Sequence, residues 1–255
     1  HPRTMGGAIW DFVSPGLTEP VRLLNDKSPY QTPAYIMGNA RLVKESKGNV
    51  LDLNGHDQWV EVYRQSNVEI TGDQLTLTCD VYPRKLISSC GSFITKGSYQ
   101  FGEDSLDFYL YTDKRHILRV KLPVDWENNW HQLSGVYDGK AMAVYIDQKK
   151  VGEQAVSGTI KNFPFPVNIG RNAEIHGQET DVYICDAQMD NVGIFTTAFT
   201  PDQSCSSEQA ALWLDFETET TLGSFFSYGI GARTYGSIWP DRTVQPEMWQ
   251  MKKSV

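Results

Sequence analysis

From about residue 39 to residue 200, apolar and polar positions alternate in short runs. RLV, NVLDLNG, QWVEVY, LTLTCDVYP, GSFITKG, LDFYLYTD, ILRVKLP, WHQLSGVYDG, AMAVYIDQ, KVGEQAV, VNIGRN and DNVGIF follow one another, each closed by Gly, Asp, Asn or Pro. A period of two, with turn residues at close intervals, predicts an all-β antiparallel sandwich or barrel. The segment YDGKAMAVYIDQKKVGE is the clearest hairpin pair: Asp138-Gly139 supplies the positive φ angles of a tight turn, and AMAVYI is the strand between two turns. Within this block only FTPDQSCSSEQAALW, residues 199–213, reads as partly helical.

The flanks have another texture. SPGLTEPVRLLNDKSPYQTPAY, residues 14–35, carries four of the twelve prolines and predicts irregular chain along the surface. After LWLDFETET the sequence SFFSYGIGARTYGSIWPDRTVQPEMWQMKKSV is rich in Gly, Pro and aromatics. PEMWQMKKS predicts a short helix, with Pro in its first turn and lysines toward its end. The two flanks match each other in texture more than either matches the middle. That is the pattern of one domain inserted in another, with divisions at 1–38, 39–215 and 216–255. The chain shows no internal repeat and no low-complexity segment.

Seven Trp and twelve Tyr suit a large β core or a sugar-facing surface, because flat rings stack on the C–H faces of pyranoses. A net charge of −8 without a long basic run excludes a nucleic-acid footprint. No stretch approaches the ~20 apolar residues of a membrane-spanning helix. The chain starts at His1, as a processed or excised piece would, so a missing leader says nothing about compartment. Cys79, Cys90, Cys185 and Cys205 form no CxxC pair, which argues against zinc. Three disulfide pairings are open to them, and Cys79, within LTLTCDVY, reads as a buried free thiol.

WHQLSGVYDGKAMAVYIDQKKVGE, then PVNIGRN, then MDNVGIFTTAFTPDQ, resembles the laminin-G/concanavalin A-like superfamily, and LDLNGHDQWVEV resembles its opening strand. The order of the four pieces carries the resemblance over roughly residues 39–200. It implies a concanavalin A-like antiparallel β-sandwich, a two-sheet jelly roll. The flanks resemble family-two glycoside hydrolases of the β-galactosidase type. MGGAIWDFVSPGL is similar to their GG-WDW-DQGL segment, and TYGSIWPDRTVQPEMWQMKKSV to their GL-PDRTPHPELWEVKKVYQ segment. In that family both belong to the end of the catalytic (β/α) barrel. The flanks are therefore expected to be short barrel segments interrupted by a lectin-like insert.

The resemblances imply roles for particular residues. Retaining glycosidases use two carboxyls ~5–5.5 Å apart, and in the resembled family both are glutamates upstream of the segment matched by Gly6–Val13. Only HPRTM precedes that segment here, so the chain alone is expected to hydrolyse no β-galactoside. Glu217 and Glu219 of DFETET alternate like such a pair but read as a solvated rim. Trp10 matches the tryptophan that walls the galactose subsite. Asp11 reads as a structural hydrogen bond at a strand end, and Asp241 with Arg242 as an ion pair fixing a turn. Ala232 and Tyr235 depart from the family's Phe and Asn, so the barrel's cation site is not carried over.

In the β block the resemblance places Asp190 at a structural Ca2+ position, with the loop Asn54 to Asp57 as the carbonyl donor. A surface aspartate capping a turn is the other reading of Asp190, and both stay open. Saccharide candidates are Trp59, Tyr99, Tyr111, Trp126 and His176, whereas Trp130 sits where the family has a core residue. No histidine pair has metal-binding spacing.

Three functional readings follow. The chain is a non-catalytic part of a β-galactosidase-like hydrolase. Its insert is a carbohydrate-binding module for a β-galactoside-containing glycan, or it shapes the substrate site. Alternatively the insert is purely structural, an oligomerisation element that binds no sugar. The expected partners are a glycan and the rest of the parent hydrolase, at a secreted or periplasmic address implied by resemblance alone.

Overall fold

The computed structural model describes residues 17–84, 92–96, 99–101, 105–163, 165–172, 184–203 and 205–227. Among the described residues, sixteen strands form an antiparallel β-sandwich with short 3-10 turns at Ser66–Val68 and Ser207–Gln209. The strands are β1 (Leu17–Asp26), β2 (Ala34–Met37), β3 (Arg41–Glu45), β4 (Gly48–Asn54), β5 (Trp59–Val62), β6 (Leu75–Pro83), β7 (Ile94–Thr95) and β8 (Tyr99–Phe101). They continue with β9 (Leu106–Tyr111), β10 (Arg115–Val120), β11 (His131–Tyr137), β12 (Ala141–Ile146), β13 (Lys149–Ala155), β14 (Val167–Ile169), β15 (Asp186–Phe195) and β16 (Leu212–Ser227).

One run of paired strands is β13-β12-β11-β6-β15, with β4 and then β3 beside β15. The other is β10-β9-β8-β7-β14-β5-β2, and the β1–β16 pair joins the two. The runs face each other: the Phe108 ring of β9 lies against Gly135 of β11, and Val120 of β10 against Gly152 of β13. Alternation explains the core. In β6, Leu75, Leu77, Cys79 and Val81 point inward, and in β11 so do Leu133 and Tyr137. Each fully buried Leu or Val contributes roughly 1.5–3 kcal/mol by leaving water. The intervening residues Thr76, Thr78, Asp80, Gln132 and Ser134 are left on the outer face of the same sheet.

Every strand expected between residues 39 and 200 is present. Two local expectations are met in part. The irregular chain expected over residues 14–35 is present only at 27–33: Leu17 to Asp26 form β1, paired with β16, with Pro20 tolerated beside a register shift, and β2 begins at Ala34. The helical piece expected within 199–213 is a short 3-10 turn at Ser207–Gln209 with a Ser206–Gln209 capping box, after which Leu212 enters β16. At the first hairpin turn only Gly139 takes a positive φ, of 86°. Asp138 stays in the ordinary region and accepts the N–H groups of Lys140 and Ala141. Cys79 is a buried free thiol and Cys205 a half-buried one, Cys185 is buried, and Cys90 lies outside the described residues. Among the described residues no helix is long and apolar enough to cross a membrane.

Candidate functional site

Strand β15 changes partner midway. Its first half, Asp186 to Met189, pairs with Asn54 to Leu51 of β4. Its second half, Val192 to Ile194, pairs with Leu214 to Leu212 of β16. Between them lies a bulge against β6, where Asn191 adopts φ 49°, a left-handed conformation that Asn accepts more readily than most residues. The exchange leaves a cavity of about 550 Å³ on the outer face of the sheet. Asp80, Gln132 and Asp190 contribute from the sheet itself. The β3–β4 turn with Glu45 and Lys47, the start of β16 with Asp215 and Glu217, and Trp130 with the Asp147-Gln148 turn complete the lining.

Local chemistry holds each wall. Asp80 and Asp190 stand opposite each other on the β6–β15 ladder. The Asn191 side-chain amide donates to both, at 2.9 and 3.2 Å, and its backbone N–H donates to Asp190 at 2.8 Å. Burial pushes the Asp190 carboxyl up to about 6, with the nearby carboxylates of Asp80, Glu217 and Asp215 adding to the rise. Burial likewise raises Asp80, partly offset by the Asn191 amide. Glu217 clamps the β3–β4 turn by accepting the Asn49 N–H, and its carbonyl accepts the Asn49 side-chain amide. Gly48 is required there: its φ is 140°, and a Cβ would lie 2.0 Å from the Glu217 carboxylate. Glu219 instead pairs with Arg22. The two glutamates are thus structural, each committed to a different partner.

Trp130 precedes β11 and is 39% exposed, its ring tilted against Tyr82 at 5.7 Å. The expectation of a core tryptophan at 130 is therefore corrected. Trp126 is the buried one, 6% exposed, stacked on His131 at 5.1 Å and packed near Phe93. His131 is fixed from both ring nitrogens, by the Asp147 carboxylate at 2.9 Å and the Asp125 carbonyl at 3.2 Å.

Among the described residues, the saccharide candidates Trp59, Tyr111 and Trp126 sit in different surroundings, and Tyr99 lies on β8. Trp10 lies outside the described residues, as do His176, Trp239, Asp241 and Arg242. Trp59, on β5 of the other run, is 5% exposed; its indole N–H donates to Glu61 and its face lies under the Arg171 guanidinium at 4.4 Å. Tyr111 ends β9, edge-on to Phe163. The buried rings of Trp59 and Trp126 present no face to a ligand, since neighbours already cover them.

The calcium set does not converge either. Asn54 pairs with Asp186, four residues before Asp190 on β15, which is about 13 Å along a strand. Asn54 is occupied locally, accepting the N–H groups of His56 and Asp57 and donating to the Asp57 carboxylate. Calcium needs its oxygens within ~2.6 Å, so these three residues do not fit one ion. Among the described residues, no group of three or more His, Cys, Asp or Glu is arranged to hold a metal.

Comparison with known proteins agrees with this architecture. The Laminin_G_3 family model, described as the concanavalin A-like lectin/glucanases superfamily, matches residues 54–203. No curated protein matches by sequence. Among solved structures, the chain is similar to domain 4 of AbnA, a GH43 extracellular arabinanase from Geobacillus stearothermophilus, solved in complex with arabinotriose. The TM-score is 0.55 at 16% identity, over 72% of this chain and 97% of that one. It is also similar to the binding domain of botulinum neurotoxin DC in complex with SialylT, with a TM-score of 0.50 at 12% identity over 70% of this chain. That match spans 48% of the toxin domain, about half its length. At such identities the likeness speaks for the fold, and with the family match over residues 54–203 the chain belongs to the concanavalin A-like lectin/glucanases superfamily.

Proposed function

We propose that this chain is a non-catalytic carbohydrate-binding module and that the cavity beside Trp130 is its saccharide site. The observation that carries the reading is an exposed indole at the edge of a ~550 Å³ cavity lined by carboxylates and amides. Ligand cavities typically combine that size with aromatic contact and a few placed polar groups. The Trp130 ring offers a flat apolar face to the C–H side of a sugar, and Asp80, Asp190 and Gln132 offer acceptors and a donor to its hydroxyls. The arabinanase domain and the toxin domain, which share the fold, were each solved with a saccharide, and this supports the reading.

The lining carries six carboxylates, from Glu45, Asp80, Asp147, Asp190, Asp215 and Glu217, against Lys47 and His131. Such a field disfavours uronic and sialic acids and suits a neutral glycan. A β-galactoside fits that class. It is also the glycan implied by the flanks, of which residues 1–16 and 228–255, beyond β1 and β16, are on this reading the ends of a β-galactosidase-type barrel around the module. Leu17 of β1 pairs with Ser227 of β16, so the two ends of the described sandwich lie side by side. That adjacency supports an insertion, since an inserted domain rejoins its host near the point of departure.

The test is a glycan array followed by calorimetric titration of the pure chain. Neutral galactose-containing glycans are expected to bind, and Trp130→Ala to weaken binding by at least about tenfold, or ~1.4 kcal/mol. Retention of acidic glycans alone, or full binding by the Trp130 variant, would overturn the assignment.

A further inference from the structure

The cavity does not end at Gln132 and Gln148. On its far side these two residues also line a second hollow of about 80 Å³ on the same sheet face. Thr76, Ser134, Tyr145 and Gln203 are among its other walls. The hollow is too small to enclose a whole sugar.

Gln148 is held in an unusual way. The β12–β13 hairpin closes over two residues, with Ile146 opposite Lys149. Both loop residues are left-handed, Asp147 at φ 50° and Gln148 at φ 66°. This is the pattern of a type I′ turn, where Gly or Asn is favoured at the second place. Asp147 has local compensation, because its carboxylate accepts the Gln132 N–H at 3.0 Å and pairs with His131. Gln148 has a Cβ in a conformation that disfavours one, and its side chain is exposed, so core packing does not account for it. Backbone strain without a packing reason is concentrated at ligand sites. What the residue supplies is an amide, donor and acceptor together, at the junction of two hollows.

We propose that Gln148, with Gln132, is a specificity-determining pair that guides a linear glycan from the Trp130 cavity into the hollow at Tyr145, so that the site takes an oligosaccharide rather than a single sugar. The inference rests on the carbohydrate-binding reading.

Calorimetric titration with galactose, galactobiose and galactotriose tests it, using wild type, Gln148→Gly and Trp130→Ala. Wild-type affinity is expected to climb about tenfold or more from galactose to galactotriose. Gln148→Gly flattens that climb. Because Gly relaxes the turn, the variant melts no lower than wild type, which separates the effect from misfolding. Equal affinity for all three sugars, or an undiminished climb in Gln148→Gly, overturns the proposal. If Trp130→Ala still abolishes binding in that case, the cavity assignment stands. Failure of wild type to bind any of the three overturns this proposal together with the galactoside reading.

Discussion

Asp80 and Asp190 face each other across a ladder, share one asparagine amide and lie among further carboxylates. The Asp190 carboxyl ionises near 6 in the folded chain against a reference of 3.8. Between those values the folded state holds more protons than the unfolded one, so this group's contribution to stability grows as pH falls through 6 toward about 4. Ionised at neutral pH, it costs stability. Asp190→Asn is therefore expected to raise the melting temperature at pH 7 by about 2–4 °C, a screened effect near 1 kcal/mol. The gain should shrink by about pH 4.5. A variant that melts lower at pH 7 contradicts the account. Residue parity made part of this site legible. Counting back from Leu133 and Tyr137 in WHQLSGVY puts Trp130 and Gln132 on the outer face, and the same count in LTLTCDVY puts Asp80 there. The family position overrode that parity for Trp130, and the true core tryptophan, Trp126, lies in a loop that has no period to read.

At the scale of elements, the site exists because β15 leaves β4 for β16. Nothing local in MDNVGIF announces that exchange, since it depends on where residues 212–214 come to rest. β16 was hidden for a related reason. SSEQAALW carries a real capping box, yet the turn stops after Gln209, and the Trp213 N–H is taken by Asp26 of β1 at 2.9 Å. Asp26 also accepts the Ser28 N–H, the Ser28 hydroxyl and the Thr32 N–H, all within 2.9 Å, in a buried position. Its carboxylate thus locks the chain's entry strand to its exit strand. Asp26→Ala leaves buried donors unmet and is expected to cost about 3 kcal/mol, read as a lower urea midpoint. A midpoint unchanged within error would show that the clamp is not needed. β1 was illegible because Pro20 and its neighbouring prolines read as breakers, whereas the ladder absorbs Pro20 at an irregularity.

For the molecule as a whole, the sandwich was legible from alternation because each hairpin buries one face, and that pattern is local. The saccharide site was not, because it draws one or two residues each from β3, β4, β6, β11, β15 and β16 and from the turns between strands. Of the aromatic residues most visible in the sequence, Trp59 packs with Met37 and Tyr63, and Trp126 is buried in the core against His131. The most direct test is an NMR titration of the isotopically labelled chain with galactotriose, reading its seven indole N–H signals and the backbone amides. The account predicts that the Trp130 indole and the amides of Gln132, Gln148 and Asn191 shift together, while the Trp59 and Trp126 indoles stay in place. Shifts centred on Trp59 and Arg171, with Trp130 unmoved, would contradict it.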